Sequence, residues 1–223
     1  MKKRPRPAMR PVTVGRIAGA AIALSDDEGL QALSMRKLAS RLGIEAMSLY
    51  HHVPSKAALL DAMVDELARV LPPLDLGDGW RACLSSAAAA WLSLAKGHPG
   101  AFSLVATRAQ ARPLLLDWYA GIFDVMGRAG FDPLEGARAT TSFFVALNGF
   151  LLAAGRPLFF ADVPEPSAES MTGLSPQTLA ALHTVPPEAW NLASDEAYQA
   201  HVAFLLDAVA AALGSASERD TDA

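Results

Sequence analysis

Apolar residues recur at helical spacing along most of the chain, and no stretch shows the strict alternation of a half-buried strand. Between Met35 and Leu42 the apolar positions fall at i, i+3, i+4 and i+7, so they form one stripe on a short helix. Ser34 precedes this stretch and is a good N-cap, and Gly43 follows it and tolerates the left-handed conformation that ends helices. The sequence therefore predicts a capped amphipathic helix followed by a tight turn.

A second short helix is predicted directly after this turn. Glu45 opens it, where a negative charge suits the helix dipole, and Leu49 and Val53 lie four residues apart on its inner face. Pro54 ends it, because a residue before proline is pushed out of the helical region. A helix, a glycine turn and a polar second helix form a helix-turn-helix, whose second helix enters the major groove of DNA by its N-terminus. The motif spans about residues 34–53.

The charge distribution separates this head from the rest of the chain. Residues 1–56 hold ten Lys or Arg and four acidic residues and so carry +6, and because the whole chain carries −4, residues 57–223 carry −10. A basic end on an acidic body is expected when one end of a protein meets phosphates. Helix–glycine–helix hairpins also occur in proteins that never bind nucleic acid, and this charge asymmetry favours DNA binding over that alternative.

The segment from Met35 to Lys56, MRKLASRLGIEAMSLYHHVPSK, resembles the DNA-binding domain of the TetR family of transcriptional regulators. The Leu-Gly-Ile turn, the Leu-Tyr-x-His-Val run and the lysine after it carry the resemblance. The chain length of 223 residues, with the motif near residue 40, agrees with it. The resemblance implies a first helix over residues 12–29 with its inward-facing side chains at Ile17, Ala20, Ala21 and Leu24.

The resemblance also implies which side chains contact DNA. Arg36 matches a position that tetracycline repressors use for a base contact, and an arginine that forks onto guanine contributes roughly 1–3 kcal/mol of discrimination. Ala46, Met47 and Ser48 take the base-facing first turn of the recognition helix. Relatives often have a polar residue such as glutamine at the Ala46 position, so the operator need not resemble a known one. For the histidine pair a solvated surface is the alternative. The other predicted DNA contacts are Ser34, Tyr50, His51, His52 and Lys56.

The rest of the chain indicates helices separated by proline, glycine and serine breaks. Those helices are predicted at 55–71, 80–96, 101–107, 112–129, 133–154, 175–184 and 194–213. Residues 156–174 are expected to form a mobile loop. The order of these helices resembles that of the C-terminal domain of tetracycline repressors. This resemblance is looser than that of the N-terminal helix-turn-helix segment. The predicted all-α organisation is a basic disordered arm (1–10), a three-helix helix-turn-helix domain (11–71), a ligand-binding and dimerisation domain (78–214) and a polar tail (215–223).

Two stretches, 143–154 and 202–213, are more apolar than the surface of a monomer should be. Each is shorter than the roughly 18 residues that a membrane helix needs, and the basic start is not followed by the apolar run of a signal peptide. We therefore expect a cytoplasmic protein with no membrane partner. The TetR family pairs its last two long helices into a four-helix interface, so the resemblance implies a homodimer on a palindromic double-stranded DNA operator.

A pocket for a small-molecule effector is expected among the body helices, since apolar cavities with a few polar groups are the usual ligand sites. In an ungapped comparison from Trp80, the histidine with which tetracycline repressors bind the drug's magnesium falls on Val105. Their histidine closer to the head falls on Pro72. The inducer is therefore expected to be a different, rather apolar molecule. Core packing is the alternative for each aromatic residue, and capping of a helix break for His98. The candidate lining residues are Trp91, His98, Phe102, Trp118, Phe123, Phe144 and Asn148.

Enzymatic motifs are absent from the sequence, which contains no G-x-S-x-G, H-E-x-x-H, P-loop or dinucleotide-binding glycine loop. Cys83 is the single cysteine and cannot form a disulfide or a structural zinc site within the chain. No catalytic residue, metal or cofactor is predicted. The expected function is a repressor that a small-molecule inducer releases from its operator. The alternatives are an activator or co-repressed regulator of the same fold, or a helical carrier or enzyme without DNA binding.

Overall fold

The computed structural model describes residues 11–108, 112–154, 173–184, 192 and 194–219, which form α-helices, one short 3-10 helix and no strand. The predicted all-α fold is confirmed. The 3-10 helix covers Leu30–Ala32. The α-helices are α1 (Val14–Glu28), α2 (Met35–Leu42), α3 (Ala46–His52), α4 (Lys56–Arg69), α5 (Trp80–Gly97), α6 (Phe102–Arg108), α7 (Pro113–Arg128), α8 (Pro133–Ala154), α9 (Pro176–His183) and α10 (Asp195–Arg219).

The chain divides into two compact units. The first consists of the chain up to Val70 together with Gly100–Leu114, and the second consists of Leu71–Pro99 together with the chain from Leu115 onward. The division differs from the predicted boundaries because α6 joins the first unit, although it lies about thirty residues beyond α4 in the chain. A contact between segments so far apart leaves no signal in local periodicity.

The first unit is built around α1 and α4. The helix α1 packs against α2 and α4, while α3 packs on α2 and α6 packs on α4. Of the side chains predicted to face inward from α1, Ile17, Ala21 and Leu24 are buried, whereas Ala20 is half-buried. Leu49 is fully buried, so the inner face predicted for the second helix of the motif is the one that packs.

Hydroxyl caps fix several helix starts, including the cap predicted at Ser34. Ser34 Oγ accepts a hydrogen bond from the Lys37 amide at 3.3 Å, and Ser194 Oγ accepts one from the Ala197 amide at 3.0 Å. Each cap satisfies an amide that has no partner inside its own helix. The helix starts lie within two residues of the predicted positions.

The C-terminal end of the described chain corrects one prediction. The last helix was expected to stop at residue 213, with a polar tail at 215–223, but α10 continues to Arg219. Gly214 disfavours a helix by about 1 kcal/mol without blocking it, and no proline follows. The predicted arm at 1–10 and nearly all of the predicted loop at 156–174 lie outside the described residues.

In the second unit, α8 packs against α5 and α10. Among the described helices, α8 is the one that is long and apolar enough to cross a membrane by length and composition. The apolar stretch 143–154 is shorter than a membrane-spanning helix, but it is only part of α8, which has 22 residues. Its buried side chains, including Phe143, Leu147 and Leu151, form part of the core of this unit.

Candidate nucleic-acid interface and ligand site

The turn between α2 and α3 sets the angle of the recognition helix. Gly43 has φ +67° and ψ +33°, a left-handed conformation that glycine adopts without steric penalty. The Gly43 amide donates to the Ser40 carbonyl at 3.2 Å, and the Ile44 amide donates to the Ala39 carbonyl at 3.1 Å. These two bonds form a Schellman motif, which closes α2 and directs the chain into α3.

The outer face of α3 is available for contact with a groove. Met47 is 70% exposed, Ser48 is exposed and Tyr50 is 42% exposed, while Ala46 is half-buried at the start of the helix. Leu49 and the following Val53 are buried beneath them. The two histidines at the end of α3, His51 and His52, are also exposed. The helix thus presents a mixed apolar and polar surface from a firmly packed base.

The basic side chains of α2 differ in their partners. Arg36 is exposed and makes no ion pair with the described residues. Lys37 forms an ion pair with Glu28, and Arg41 Nη2 lies 2.6 Å from Asp27 Oδ2. Arg36, which the resemblance assigns to a base contact, is therefore the one basic side chain of α2 without an ion-pair partner among the described residues.

Lys56 has a structural partner that sequence reasoning missed. Its ammonium donates a hydrogen bond to the Leu33 carbonyl at 3.0 Å, which ties the start of α4 to the segment before α2. The remaining N–H groups can still donate to a phosphate, because an ammonium carries three donors. Ser55 Oγ caps α4 by accepting from the Ala58 amide at 3.1 Å, so Lys56 lies at the positive end of a helix dipole.

The turn before α6 is bound to the end of α1. The amides of Gly100 and Ala101 donate to Asp26 Oδ1 at 3.0 and 3.2 Å. A Cβ at position 100 would lie 1.9 Å from the Ser25 carbonyl oxygen, so only glycine allows this approach. The contact holds the start of α6 against the end of α1.

Two arginines join α4 to the end of α6 and the residues after it. Arg108 Nη1 lies 2.9 Å from Asp61 Oδ1, and Arg112 Nε donates to Asp65 Oδ1 at 2.8 Å. The hydrogen bond to Asp65 raises the pKa of the Arg112 guanidinium. Because Arg112 and Asp65 are only about one quarter exposed, this pair is screened less by water than the other ion pairs of the unit.

Aromatic side chains of α5, α7 and α8 form one cluster in the second unit. The rings of Trp91 and Trp118 stack with centroids 5.1 Å apart, and Phe144 meets Trp91 edge-on at 5.2 Å. Asn148 Oδ1 accepts a hydrogen bond from Trp91 Nε1 at 2.7 Å. Tyr119, whose ring centroid lies 5.0 Å from that of Phe144, also belongs to the cluster. Burial raises the pKa of its phenol.

The outer face of α8 and α10 is apolar and holds a groove of about 470 Å³. Val145 on α8 is 63% exposed and Phe204 on α10 is 70% exposed. The groove is lined by Glu135, Arg138, Ala139, Ser142, Phe143, Ala146, Leu205, Ala208, Val209 and Ala212.

The His201 side chain on α10 packs against Phe150 on α8. The two rings stack with centroids 4.5 Å apart, and His201 Nε2 is buried without a hydrogen-bond partner among the described residues. Burial lowers the pKa of His201.

The helix-turn-helix segment matches a known protein family in sequence. Residues 17–63 match the sequence model for bacterial regulatory proteins of the tetR family, a range that contains Arg36, the Gly43 turn and all of α3. The HTH-type transcriptional repressor DrrR1 of Streptomyces coeruleorubidus is 34% identical over 176 residues, 78% of this chain and 62% of DrrR1. Residues 17–63 belong to the TetR family of bacterial regulatory proteins.

Further known proteins share the sequence in part or the fold as a whole. The class D tetracycline repressor of Escherichia coli is 44% identical over 73 residues, which make up 30% of this chain and 33% of the repressor. Apo ActR from Streptomyces coelicolor superposes with a TM-score of 0.77 at 22% identity, over 94% of this chain and 100% of ActR. The chain spans less than two thirds of the length of DrrR1, whereas it shares its fold with all of ActR.

The structure brings together only part of the predicted pocket. Trp91, Trp118, Phe144 and Asn148 meet in the aromatic cluster. Three other candidates do not join it, since Phe102 is buried in the first unit, Phe123 is 43% exposed on α7, and His98 is the C-cap of α5. Sequence reasoning missed Tyr119, although its position beside Trp118 on α7 was a usable signal.

Proposed function

We propose that this protein is a cytoplasmic transcriptional repressor that binds an operator as a homodimer and leaves it when a small-molecule inducer binds. The observation that carries the proposal is the exposed face of α3 beside an uncommitted Arg36. In a helix-turn-helix the second helix contacts base edges and the first crosses the backbone. Membership of a family of transcriptional regulators supports it, as does BioQ, a structural neighbour solved with its double-stranded DNA operator.

Replacing Arg36 with alanine tests the base contact. We expect the variant to bind its operator roughly 30- to 25,000-fold more weakly, because each of the two copies in the proposed dimer loses a bidentate arginine–guanine pair worth roughly 1–3 kcal/mol. The measurement is fluorescence anisotropy on a duplex recovered by the wild-type protein from a random pool. Arg69→Ala, which removes an exposed arginine from the end of α4, is the matched control. Equal affinities of the two variants would contradict the role of Arg36.

Dimerisation through α8 and α10 accounts for their exposed apolar face. Phe204, Val145 and the groove between the two helices are the kind of surface that a second copy buries. A two-fold dimer sets two recognition helices about one DNA turn apart, roughly 34–36 Å. The operator would then be a palindrome, since each half binds one copy.

We assign the inducer to the aromatic cluster and expect a planar, largely apolar molecule. Stacked indoles provide flat apolar faces, and Asn148 offers an amide close to them. ActR, which has the same fold, was solved in complex with (S)-DNPA and with actinorhodin. These complexes support a ligand site in the corresponding body of this chain.

Replacing Trp118 with leucine tests that assignment. With actinorhodin as the probe, we expect the concentration that releases half of the operator to rise roughly two- to tenfold, since an aromatic pair contributes about 0.5–1.5 kcal/mol beyond its burial. Trp80→Leu is the control, because Trp80 is also half-buried but contacts Phe131 outside the cluster. If actinorhodin and related planar aromatics never release the DNA, the assigned inducer class is wrong.

Release is proposed to act through α6. The chain leaves the second unit at Pro99 and returns to it at Leu115, so a change in the body reaches α6 along the backbone. Within the first unit, α6 is tied to α4 by Arg108 and Arg112, so its movement would tilt α4 and the head with it. The inducer shifts this equilibrium only by its difference in affinity for the two states.

Two alternatives make different predictions. An activator of the same fold would lower reporter expression when its gene is deleted, whereas loss of a repressor raises expression. A co-repressed regulator would bind its operator more tightly when its small molecule is present, whereas an induced repressor binds more weakly. A helical carrier or enzyme would show no salt-dependent DNA affinity and no loss of it on Arg36→Ala or Tyr50→Ala. Mobility shifts with the DNA upstream of its own gene, across a salt series, separate the second alternative from the proposal.

A further inference from the structure

Acidic side chains occupy an unfavourable position at the end of α1. Asp26, Asp27 and Glu28 form its last turn, where the helix dipole already places partial negative charge. Asp26 has a structural role, since it accepts hydrogen bonds from the amides of Gly100 and Ala101. Asp27 and Glu28 are exposed, and neither helix capping nor burial explains their placement.

These two acids face basic residues of the DNA-binding motif. Glu28 pairs with Lys37, and Asp27 pairs with Arg41 at 2.6 Å. Lys37 and Arg41 are four residues apart on α2, which places them one above the other on the side away from the apolar stripe. That helix is the one expected to cross the DNA backbone. Its two paired cations are therefore positioned where phosphates would otherwise be their partners.

A carboxylate and a phosphate are competing partners for the same cation. Both accept charge-assisted hydrogen bonds from guanidinium and ammonium groups. The two pairs are between 38% and 57% exposed on each side, so each is weak and can exchange. When DNA approaches, the acid both occupies the cation and repels the phosphate.

We propose that Asp27 and Glu28 hold Lys37 and Arg41 off the DNA backbone and so set the affinity of the head for phosphates. The inference rests on the proposed function, and it adds two acidic residues that determine how tightly DNA is bound. It also explains the contrast within α2, where Arg36 alone among the three cations is unpaired within the described chain. Binding then depends more on contacts to bases and less on contacts that any DNA offers.

The test compares the wild-type protein with the double variant Asp27→Asn, Glu28→Gln. Fluorescence anisotropy is measured on the duplex selected by the wild-type protein and on a scrambled duplex of equal length, between 50 and 200 mM salt. Each freed cation that gains a phosphate steepens the slope of log affinity against log salt by about 0.9. Because two cations are freed in each copy of the proposed dimer, we expect binding to both duplexes about a hundredfold tighter at 50 mM salt, with most of the gain lost at 200 mM.

A control at another paired acid and a third substitution separate this mechanism from general repulsion. Glu66→Gln removes an acid on α4 that pairs with Arg69 and is 34% exposed, close to the 40% of Glu28, and we expect it to leave the affinity unchanged. Arg41→Gln should have little effect in the wild-type chain but should remove about half of the gain in the double variant. A gain that survives loss of both Arg41 and Lys37 would overturn the proposal.

The outcomes distinguish this proposal from the proposed DNA-binding function on which it rests. If the wild-type protein selects no duplex and shows no salt-dependent affinity, the DNA-binding function fails and this inference fails with it. If the wild-type protein binds its selected duplex but the folded double variant has the same affinity and salt slope, only this inference is overturned. Circular dichroism and urea unfolding of each variant establish that the compared proteins are folded.

Discussion

Replacing Gly100 with alanine is expected to destabilise the first unit by about 3 kcal/mol or more, at the upper end of the range for overpacking. The added Cβ would lie 1.9 Å from the Ser25 carbonyl oxygen and 2.7 Å from the Asp26 Cα. These neighbours are backbone atoms of α1, so no side-chain rotation can relieve the clash. The turn before α6 must move away from the head or α1 must shift.

Either movement also breaks the hydrogen bonds that Gly100 and Ala101 donate to Asp26. Hydrogen bonds to a charged acceptor contribute about 1.5–3 kcal/mol each. Their loss therefore adds to the destabilisation that the clash itself causes. Urea unfolding followed by circular dichroism measures the effect. Under conditions where the variant remains folded, we expect its DNA binding to respond weakly to inducer, because α6 is no longer held against the head.

Gly19→Ala is the control for this experiment. Gly19 lies within α1 in the same unit, and a Cβ there meets nothing within 4 Å. Alanine in a helix interior is more stable than glycine by roughly 0.5–1 kcal/mol, so this variant should unfold at a slightly higher urea concentration. If Gly100→Ala unfolds at the wild-type midpoint, the close contact with α1 does not contribute to the folded state.

The head could be predicted from the sequence because its determinants are local. The caps Ser34 and Ser55, the Gly43 turn and the apolar stripe of α2 each act within a few residues of themselves. Burial of Leu49 then leaves one face of α3 exposed. Local propensity and hydrophobic pattern agree here, and such agreement makes a pattern reliable.

Two contacts that sequence reasoning missed join segments that are distant in the chain. Asp26 binds the Gly100 turn across 74 residues, and Lys56 binds the Leu33 carbonyl across 23. Phe102 illustrates the consequence. From the sequence alone, an apolar residue after a helix break is equally consistent with a ligand pocket and with a hydrophobic core. Its burial in the first unit follows from the packing of α6 on α4, which periodicity does not encode.

Replacing Phe204 with aspartate is expected to abolish dimerisation and to weaken operator binding by about a hundred- to ten-thousandfold, the range that bivalent attachment adds. Phe204 is 70% exposed on α10, so the substitution removes little packing from the folded monomer. In the proposed dimer the new carboxylate would be buried against apolar side chains without a partner, which is strongly unfavourable. Each copy would then bind one half-site alone.

Sedimentation velocity at micromolar concentration and anisotropy on the selected duplex measure both consequences. Phe123→Asp is the matched control, because it introduces the same charge at an exposed phenylalanine on α7. We expect the control to remain a dimer with wild-type affinity and the Phe204 variant to sediment as a 23.5 kDa monomer. A Phe204 variant that remains dimeric would place the interface elsewhere. A monomer with undiminished affinity would mean that the operator is bound by one head at a time.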